Sequence, residues 1–181
     1  MRVITGSARG RNLITLPGEE ITRPTTQSTK EALFSSIQFK IEDRQILDLF
    51  AGCGQLGIEA LSRGARFCTF VENNRSALKT VEENVKKCGF EDVSSVVFTD
   101  ARAFLLRKGK YDIAFLDPPY NDGLINECLE LLTEKMNDDG VIICETAKKE
   151  ELLPSVNGWC VSREKSYGKS KLTYYRKENQ D

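Results

Sequence analysis

Histidine is absent from all 181 residues. That excludes Ser-His-Asp and Cys-His catalysis, in which an imidazole carries the proton. Any proton acceptor must be a carboxylate, a backbone carbonyl or water. Long apolar runs are missing too: nothing reaches the roughly 18 residues a membrane helix needs. The first residues, Met1-Arg2-Val3-Ile4-Thr5-Gly6, lack the apolar core of a secretory signal. The chain is therefore expected in the cytoplasm, with no membrane attachment. The six cysteines (Cys53, Cys68, Cys88, Cys128, Cys144 and Cys160) contain no C-x-x-C pair, and no histidine can complete a zinc site. They are expected to be free, mostly buried thiols, and no metal is expected.

With 40% apolar and 29% charged residues, the chain has the composition of one soluble globular domain. The net charge is −1, but it is unevenly spread. Residues 1–30 carry five basic side chains against two acidic ones, and residues 161–177 carry six against one, which leaves the centre strongly acidic. Basic ends around an acidic centre suit an enzyme that grips a polyanion at its edges.

From Gln45 onward, short apolar runs alternate with helical patterns, as in βαβ units around a parallel sheet. Strands are predicted over Ile46–Leu49, Phe67–Val71, Val93–Phe98, Tyr111–Leu116, Val141–Cys144, Cys160–Ser166 and Leu172–Tyr175. Helices are predicted near Leu56–Ser62, Ser76–Lys87, Ala101–Arg107 and Leu124–Lys135. The last two strands are separated only by Tyr167-Gly168-Lys169-Ser170-Lys171, too short for a parallel crossover, so an antiparallel hairpin is expected at the sheet edge. The fold class is α/β: a doubly wound, seven-stranded, mostly parallel sheet. Ahead of it, Arg2–Ser7 and Asn12–Leu16 read as a small basic β-hairpin, followed by a helix through Leu33, Phe34 and Ile37. The expected organisation is an N-terminal extension over 1–28, a main domain over 29–177 and a frayed tail over 178–181.

The loop Asp48 to Gly57 joins the first sheet strand to its helix, and its glycines at 52, 54 and 57 match G-x-G-x-x-G. Such glycines let backbone approach a nucleoside cofactor at the helix N-terminus, without choosing which cofactor. Two features weigh against a dinucleotide. Asp48 would repel a pyrophosphate but suits an α-ammonium, directly or through water. The strand ends that follow are also acidic: Glu72, Asp100 and Asp117. Ligands of doubly wound folds bind outside the carboxyl ends of the strands, so these acids line one edge. Glu72 can accept ribose hydroxyls, and Asp100, with the backbone of Ala101, the exocyclic amine of adenine. Amino-acid tail, ribose and adenine together describe S-adenosylmethionine.

Asp117-Pro118-Pro119-Tyr120 closes the strand Ile113-Ala114-Phe115-Leu116. Two prolines fix the backbone and remove two N–H donors, leaving the Asp117 carboxylate and the Pro118 carbonyl as rigid acceptors. An exocyclic base amine is a poor nucleophile because its lone pair is delocalised. Accepting both its hydrogens localises that pair for attack on a sulfonium methyl, and holding it there lowers the orientational cost. Tyr120 offers a ring on which an extruded base can stack.

The order of glycine loop, strand-two acid and D-P-P-Y resembles Rossmann-like amino-methyltransferases, and the whole chain resembles the RsmD family, bacterial enzymes that methylate N2 of a guanine in 16S ribosomal RNA. The matching stretches are Arg2-Val3-Ile4-Thr5-Gly6-Ser7 with Gly10-Arg11, Thr22-Arg23-Pro24-Thr25, Lys30-Glu31-Ala32-Leu33-Phe34, the Asp48 to Gly57 loop with Glu59 to Ala65, Phe115 to Tyr120, and Tyr167-Gly168. The resemblance implies S-adenosylmethionine across Asp48, Ala51, Gly52, Gly54, Gly57, Glu72, Asn73, Asp100 and Ala101, with a guanine received at Asp117, Pro118, Pro119 and Tyr120. It implies RNA contacts at Arg9, Arg11, Arg23, Thr25 and Lys30, and a substrate that is RNA alone or an assembled small-subunit particle; the chain is expected to be a monomer. Cys53-Gly54-Gln55 stands where Ser-Gly-Ala is usual, Glu72-Asn73-Asn74 lacks the common Lys-Asp, and Lys30 replaces Arg. The competing readings are an adenine-N6 methyltransferase on nucleic acid, a protein glutamine methyltransferase, a catalytically silent RNA-binding assembly factor, and a dehydrogenase using the glycine loop.

Overall fold

The computed structural model of the protein describes residues 1–16, 27–119 and 123–178. Along the chain run α1 (Gln27–Ile37), β1 (Gln45–Asp48), α2 (Gln55–Ser62), β2 (Phe67–Glu72), α3 (Arg75–Cys88), β3 (Ser94–Phe98), α4 (Ala101–Leu105), β4 (Tyr111–Leu116), α5 (Leu124–Thr133), β5 (Met136–Ala147), β6 (Ser155–Val156), β7 (Trp159–Tyr167) and β8 (Ser170–Lys177). α3 shows why such segments become helices. Ala77, Val81, Val85 and Cys88 recur at three- and four-residue spacing and are buried. The Asn74 side chain caps the start by accepting from the Ser76 and Ala77 N–H groups, and left-handed Gly89 ends the helix.

The sheet order is β3-β2-β1-β4-β5-β8-β7-β6, with β3 through β5 parallel and the last three strands antiparallel to their neighbours. Central β4 is buried along its whole length, which is why it reads as a continuous apolar run rather than an alternating one. Helices cover both faces. Leu33, Phe34 and Ile37 of α1 pack on one side with Ile58, Val81 and Val85; Phe104, Ile125, Leu129 and Leu132 pack on the other. Of the six free cysteines, five are buried and Cys160 is half-buried. No helix among the described residues is long and apolar enough to cross a membrane.

The doubly wound sheet and its C-terminal antiparallel hairpin follow the sequence reading, with three differences. An eighth strand, β6, adds two residues to the edge. β5 begins at Met136, five residues before Val141, because a register shift opposite Tyr111 and Ile113 carries the polar stretch Asn137-Asp138-Asp139-Gly140 within the strand. The third is the length of the N-terminal hairpin: residues 1–16 reverse direction and pair antiparallel, with Val3 donating to Arg11 at 3.0 Å, Gly10 to Val3 at 2.9 Å and Leu13 to Met1 at 2.8 Å, but Arg2 with Asn12 is the one bridge pair there. The physical reason is competition for backbone donors. Ile4 and Thr5 donate to the Glu59 carboxylate at 2.8 and 3.1 Å, and Ser7 and Ala8 donate to the Ser62 carbonyl and hydroxyl at 2.8 and 2.9 Å. The segment thus pairs with itself at its base and docks on α2 through its turn. A Cβ on Gly6 would lie 1.6 Å from the Ser62 carbonyl oxygen, so only glycine permits this approach.

Candidate active site

The sheet order reverses between β1 and β4, and that switch point is where a doubly wound sheet opens a crevice at its carboxyl edge. The four strand-end acids lie along this edge in the order Asp100, Glu72, Asp48, Asp117. A cavity of about 690 Å³ occupies it, in the range of small-molecule sites. Asp48, Ala51, Gly52 and Gln55 line it from the β1–α2 loop, Glu72 and Asn73 from the end of β2, Thr99 and Ala101 from the β3–α4 junction, and Asp117 and Pro119 from the segment after β4.

Asp48 is buried, 3% exposed, and its Oδ2 accepts the Gly57 N–H at 3.0 Å. Burial pushes its carboxyl up to about 7; the Gly57 N–H opposes that rise and the nearby Glu72 charge adds to it. Gln55 stands close by in sequence, and its buried Oε1 has no hydrogen-bond partner. Two acceptors at this end of the cavity leave a place for a donor with positive charge. Glu72 is differently committed. Its Oε2 accepts from Gly52 at 2.9 Å, and its Oε1 accepts from Asn73 and Asn74 at 2.9 and 2.8 Å. Three of a carboxylate's roughly four acceptor positions are therefore used in shaping the loop.

Three predicted cofactor residues do not line the cavity. Gly54, at φ 79°, is the residue that turns the chain into α2. Gly57 allows α2 to lie directly on β2, since a Cβ there would come within 2.2 Å of the Phe70 ring and 2.6 Å of the Cys68 sulfur. Asp100 caps α4, with Oδ1 accepting from Arg102 and Ala103 at 3.0 and 3.3 Å, while its neighbours Thr99 and Ala101 line the cavity. At the other end Asp117 is half-buried, Pro118 is buried and Pro119 is exposed. Tyr120, Arg23 and Thr25 lie outside the described residues.

Lys30 corrects another expectation. It is 2% exposed, with Nζ 3.2 Å from the Glu59 carboxylate and donating to the Arg2 carbonyl at 3.1 Å. Burial lowers its pKa, and Glu59 pulls the other way. Such a side chain does not reach RNA; it secures the N-terminal segment to α2. Arg9 and Arg11 are exposed, and the Arg11 guanidinium donates to the Lys87 carbonyl near the end of α3.

Met1, Leu16 and Ala147 also line the cavity, and no local pattern marks them. Met1 accepts the Leu13 N–H at 2.8 Å, and the next residue, Ile14, two before Leu16, is held by Asn84, fully buried in α3. Its Nδ2 donates to the Ile14 and Cys53 carbonyls, each at 2.9 Å, and its Oδ1 accepts from Ile14 at 2.8 Å. A buried asparagine in an otherwise apolar helical stripe was the signal available in the sequence.

The model of a family described as "Conserved hypothetical protein 95" matches residues 1–176. The chain is 37% identical over 184 residues to "Ribosomal RNA small subunit methyltransferase D" of Escherichia coli K12, covering 99% of this chain and 91% of the relative. It is 35% identical over 175 residues to the protein of that name from Haemophilus influenzae, covering 93% and 89%. A solved structure of the Escherichia coli protein yhhF superposes with a TM-score of 0.86 at 36% identity, covering 99% of both chains. Sequence and architecture agree from end to end, and the chain belongs to this family, the RsmD family.

Proposed function

We propose that this protein transfers a methyl group from S-adenosylmethionine to the exocyclic N2 of a guanine in 16S ribosomal RNA. The observation that carries the reading is one cavity lined both by the β1–α2 loop with Glu72 and by Asp117 with Pro119. The first set suits a nucleoside cofactor with an amino-acid tail; the second suits an amine. The relatives' name, ribosomal RNA small subunit methyltransferase D, supports the class of substrate.

The donor set fits the cofactor. Asp48 and the partnerless Gln55 Oε1 would take the α-ammonium, Glu72 a ribose hydroxyl, and the Asp100–Ala101 turn the adenine amine. When bound, S-adenosylmethionine supplies an electrophilic sulfonium methyl. The chain does the rest by positioning. The Asp117 carboxylate and the Pro118 carbonyl accept the two N–H groups of the guanine amine, holding its lone pair toward the cofactor end of the cavity. Tyr120 stacks on the extruded base. With no histidine in the chain, the amine proton released on transfer leaves through Asp117 or water. Residues 1–28 serve as an RNA-holding extension of the 29–177 catalytic domain, with Arg9, Arg11, Arg23 and Thr25 on the RNA side, and the protein works as a cytoplasmic monomer.

The test is incubation of unmethylated small-subunit RNA, alone and in the assembled particle, with a labelled methyl donor, followed by nucleoside analysis. Label in N2-methylguanine is expected. Label in N6-methyladenine would replace the proposal with the adenine reading, and calorimetry without any uptake of the methyl donor would leave the silent assembly factor.

A further inference from the structure

The basic C-terminal segment reads in the sequence as one run, but the hairpin geometry divides it. β8 is antiparallel to β5, so its first residues lie beside the end of β5: Ala147 pairs with Ser170 and Thr146 with Lys171. The turn between β7 and β8 therefore sits at the carboxyl edge of the parallel strands, the edge that holds the cavity. Ala147 lines that cavity, and Lys148, the next residue, donates its backbone N–H to the Lys169 carbonyl at 2.9 Å. This bond brings two lysine-bearing segments together, Lys148-Lys149 after β5 and Lys165 to Lys169 at the turn. Asp117 follows β4, three strand spacings from β7, which places Lys165 about 15 Å from it across the sheet edge.

Pairing separates this group from the other basic residues. At the opposite edge Lys177 binds Asp138 at 2.7 Å, Arg44 binds Asp139 at 2.8 Å, and Arg66 faces Asp43 at 4.0 Å. On the hairpin itself Lys171 is bound to Glu164 at 3.0 Å, and Arg163 lies over the Tyr174 ring. Lys148, Lys149, Lys165 and Lys169 are exposed, and among the described residues none of them forms a salt bridge. Lys165 is steadied by the ring of half-buried Tyr167, 5.3 Å from its ammonium.

We infer that Lys148, Lys149, Lys165 and Lys169 form a phosphate-binding surface that holds the RNA strand flanking the target base as it passes over the β5–β8–β7 edge. The inference rests on the RNA-methylating reading above and adds where the strand runs. Four exposed ammonium groups outside any salt bridge among the described residues, on the rim of the cavity that takes the base, suit a phosphodiester chain on either side of an extruded nucleotide. Binding of this kind is driven by counterion release, and its mark is the salt dependence.

The experiment compares the intact chain with the quadruple variant Lys148→Ala, Lys149→Ala, Lys165→Ala, Lys169→Ala. As a control, Lys40→Ala with Lys108→Ala removes two exposed lysines elsewhere. Binding to small-subunit RNA transcribed in vitro is measured across a salt series. The quadruple variant is expected to lose about 2 to 3 from the magnitude of the log affinity against log salt slope, since each phosphate contact on a single strand contributes about 0.7. The KM for RNA should rise at least about tenfold, while kcat at saturating RNA, affinity for S-adenosylmethionine and thermal midpoint stay as they were. An unchanged slope, or an equal loss in the Lys40/Lys108 control, would overturn the inference and leave the methyltransferase reading standing. The same series is run on the assembled small-subunit particle, and failure of the intact chain to bind either the RNA or the particle would overturn that reading itself.

Discussion

The buried carboxylate of Asp48 accepts the backbone N–H of Gly57 at 3.0 Å, so the third glycine of the loop shapes the site without lining it. One residue type thereby serves two needs: the missing Cβ lets α2 rest on β2, and the N–H held there steadies an acid against burial.

Asp48→Asn should raise stability while weakening cofactor binding, and pH separates the two effects. The folded-state value near 7 lies above the ordinary 3.8, so between these pH values the folded protein keeps a proton that the unfolded chain releases. The stability this group contributes is full below about pH 4 and lost as pH rises through about 7, up to about 4 kcal/mol. The asparagine variant keeps an acceptor for Gly57 and cannot ionise. Its thermal midpoint should exceed that of the unaltered protein most at about pH 8, by clearly less at about pH 5, and the gap should keep closing toward about pH 4. Calorimetry at the higher pH should show weaker binding of S-adenosylmethionine. Parallel midpoints at both pH values would mean that Asp48 is not held near neutrality.

Gln55→Ala should leave folding intact or improve it, because the amide oxygen removed is buried without a partner. Affinity for S-adenosylmethionine should fall by about 1 kcal/mol, roughly fivefold. The same titration with an analogue lacking the α-amino group separates the roles: the unaltered protein and the variant should then bind alike.

Lys30→Ala should act on stability rather than on RNA. It removes one of the two cations on Glu59, 0% exposed, and leaves Arg63 at 2.8 Å as the other, a loss of about 1.5 to 3 kcal/mol. Denaturant unfolding reads this directly. A variant of unchanged stability but weaker RNA binding would restore Lys30 to the RNA-contacting set.

Much of this was legible in the sequence because the signals are local. Alternating apolar runs marked the sheet, the short Tyr167–Lys171 linker marked the hairpin, and four strand-end acids marked one edge, since every parallel strand ends on the same side. What was not legible depends on partners distant in sequence. Lys30 reads as a surface cation until Glu59 is seen 3.2 Å away, and Arg2–Ser7 reads as a full strand until the N–H groups of Ile4, Thr5 and Ser7 are seen to be taken by Glu59 and Ser62. Met1 and Leu16 reach the cavity beside an arm that Asn84 fastens to α3. The run of charge over 161–177 was visible, but only strand register shows which lysines face the cavity edge.

Asp117→Ala should separate binding from chemistry. The residue lies beside Asp48 on the strand-end edge, but in the proposed reading it acts on the target amine and not on the cofactor, so affinity for S-adenosylmethionine should change less than about twofold while methyl transfer falls by at least about a hundredfold. A parallel loss of both would move Asp117 into the cofactor's binding set.

In the proposed function one cavity brings a methyl donor to a guanine amine of 16S ribosomal RNA. Mass mapping of that RNA from cells lacking the gene, and from the same cells supplied with the unaltered chain or with Asp117→Ala, tests it most directly. One N2-methylguanine should be missing, restored by the unaltered chain and not by the variant. A full set of guanine methyl groups in the cells lacking the gene, or restoration by Asp117→Ala, would contradict it.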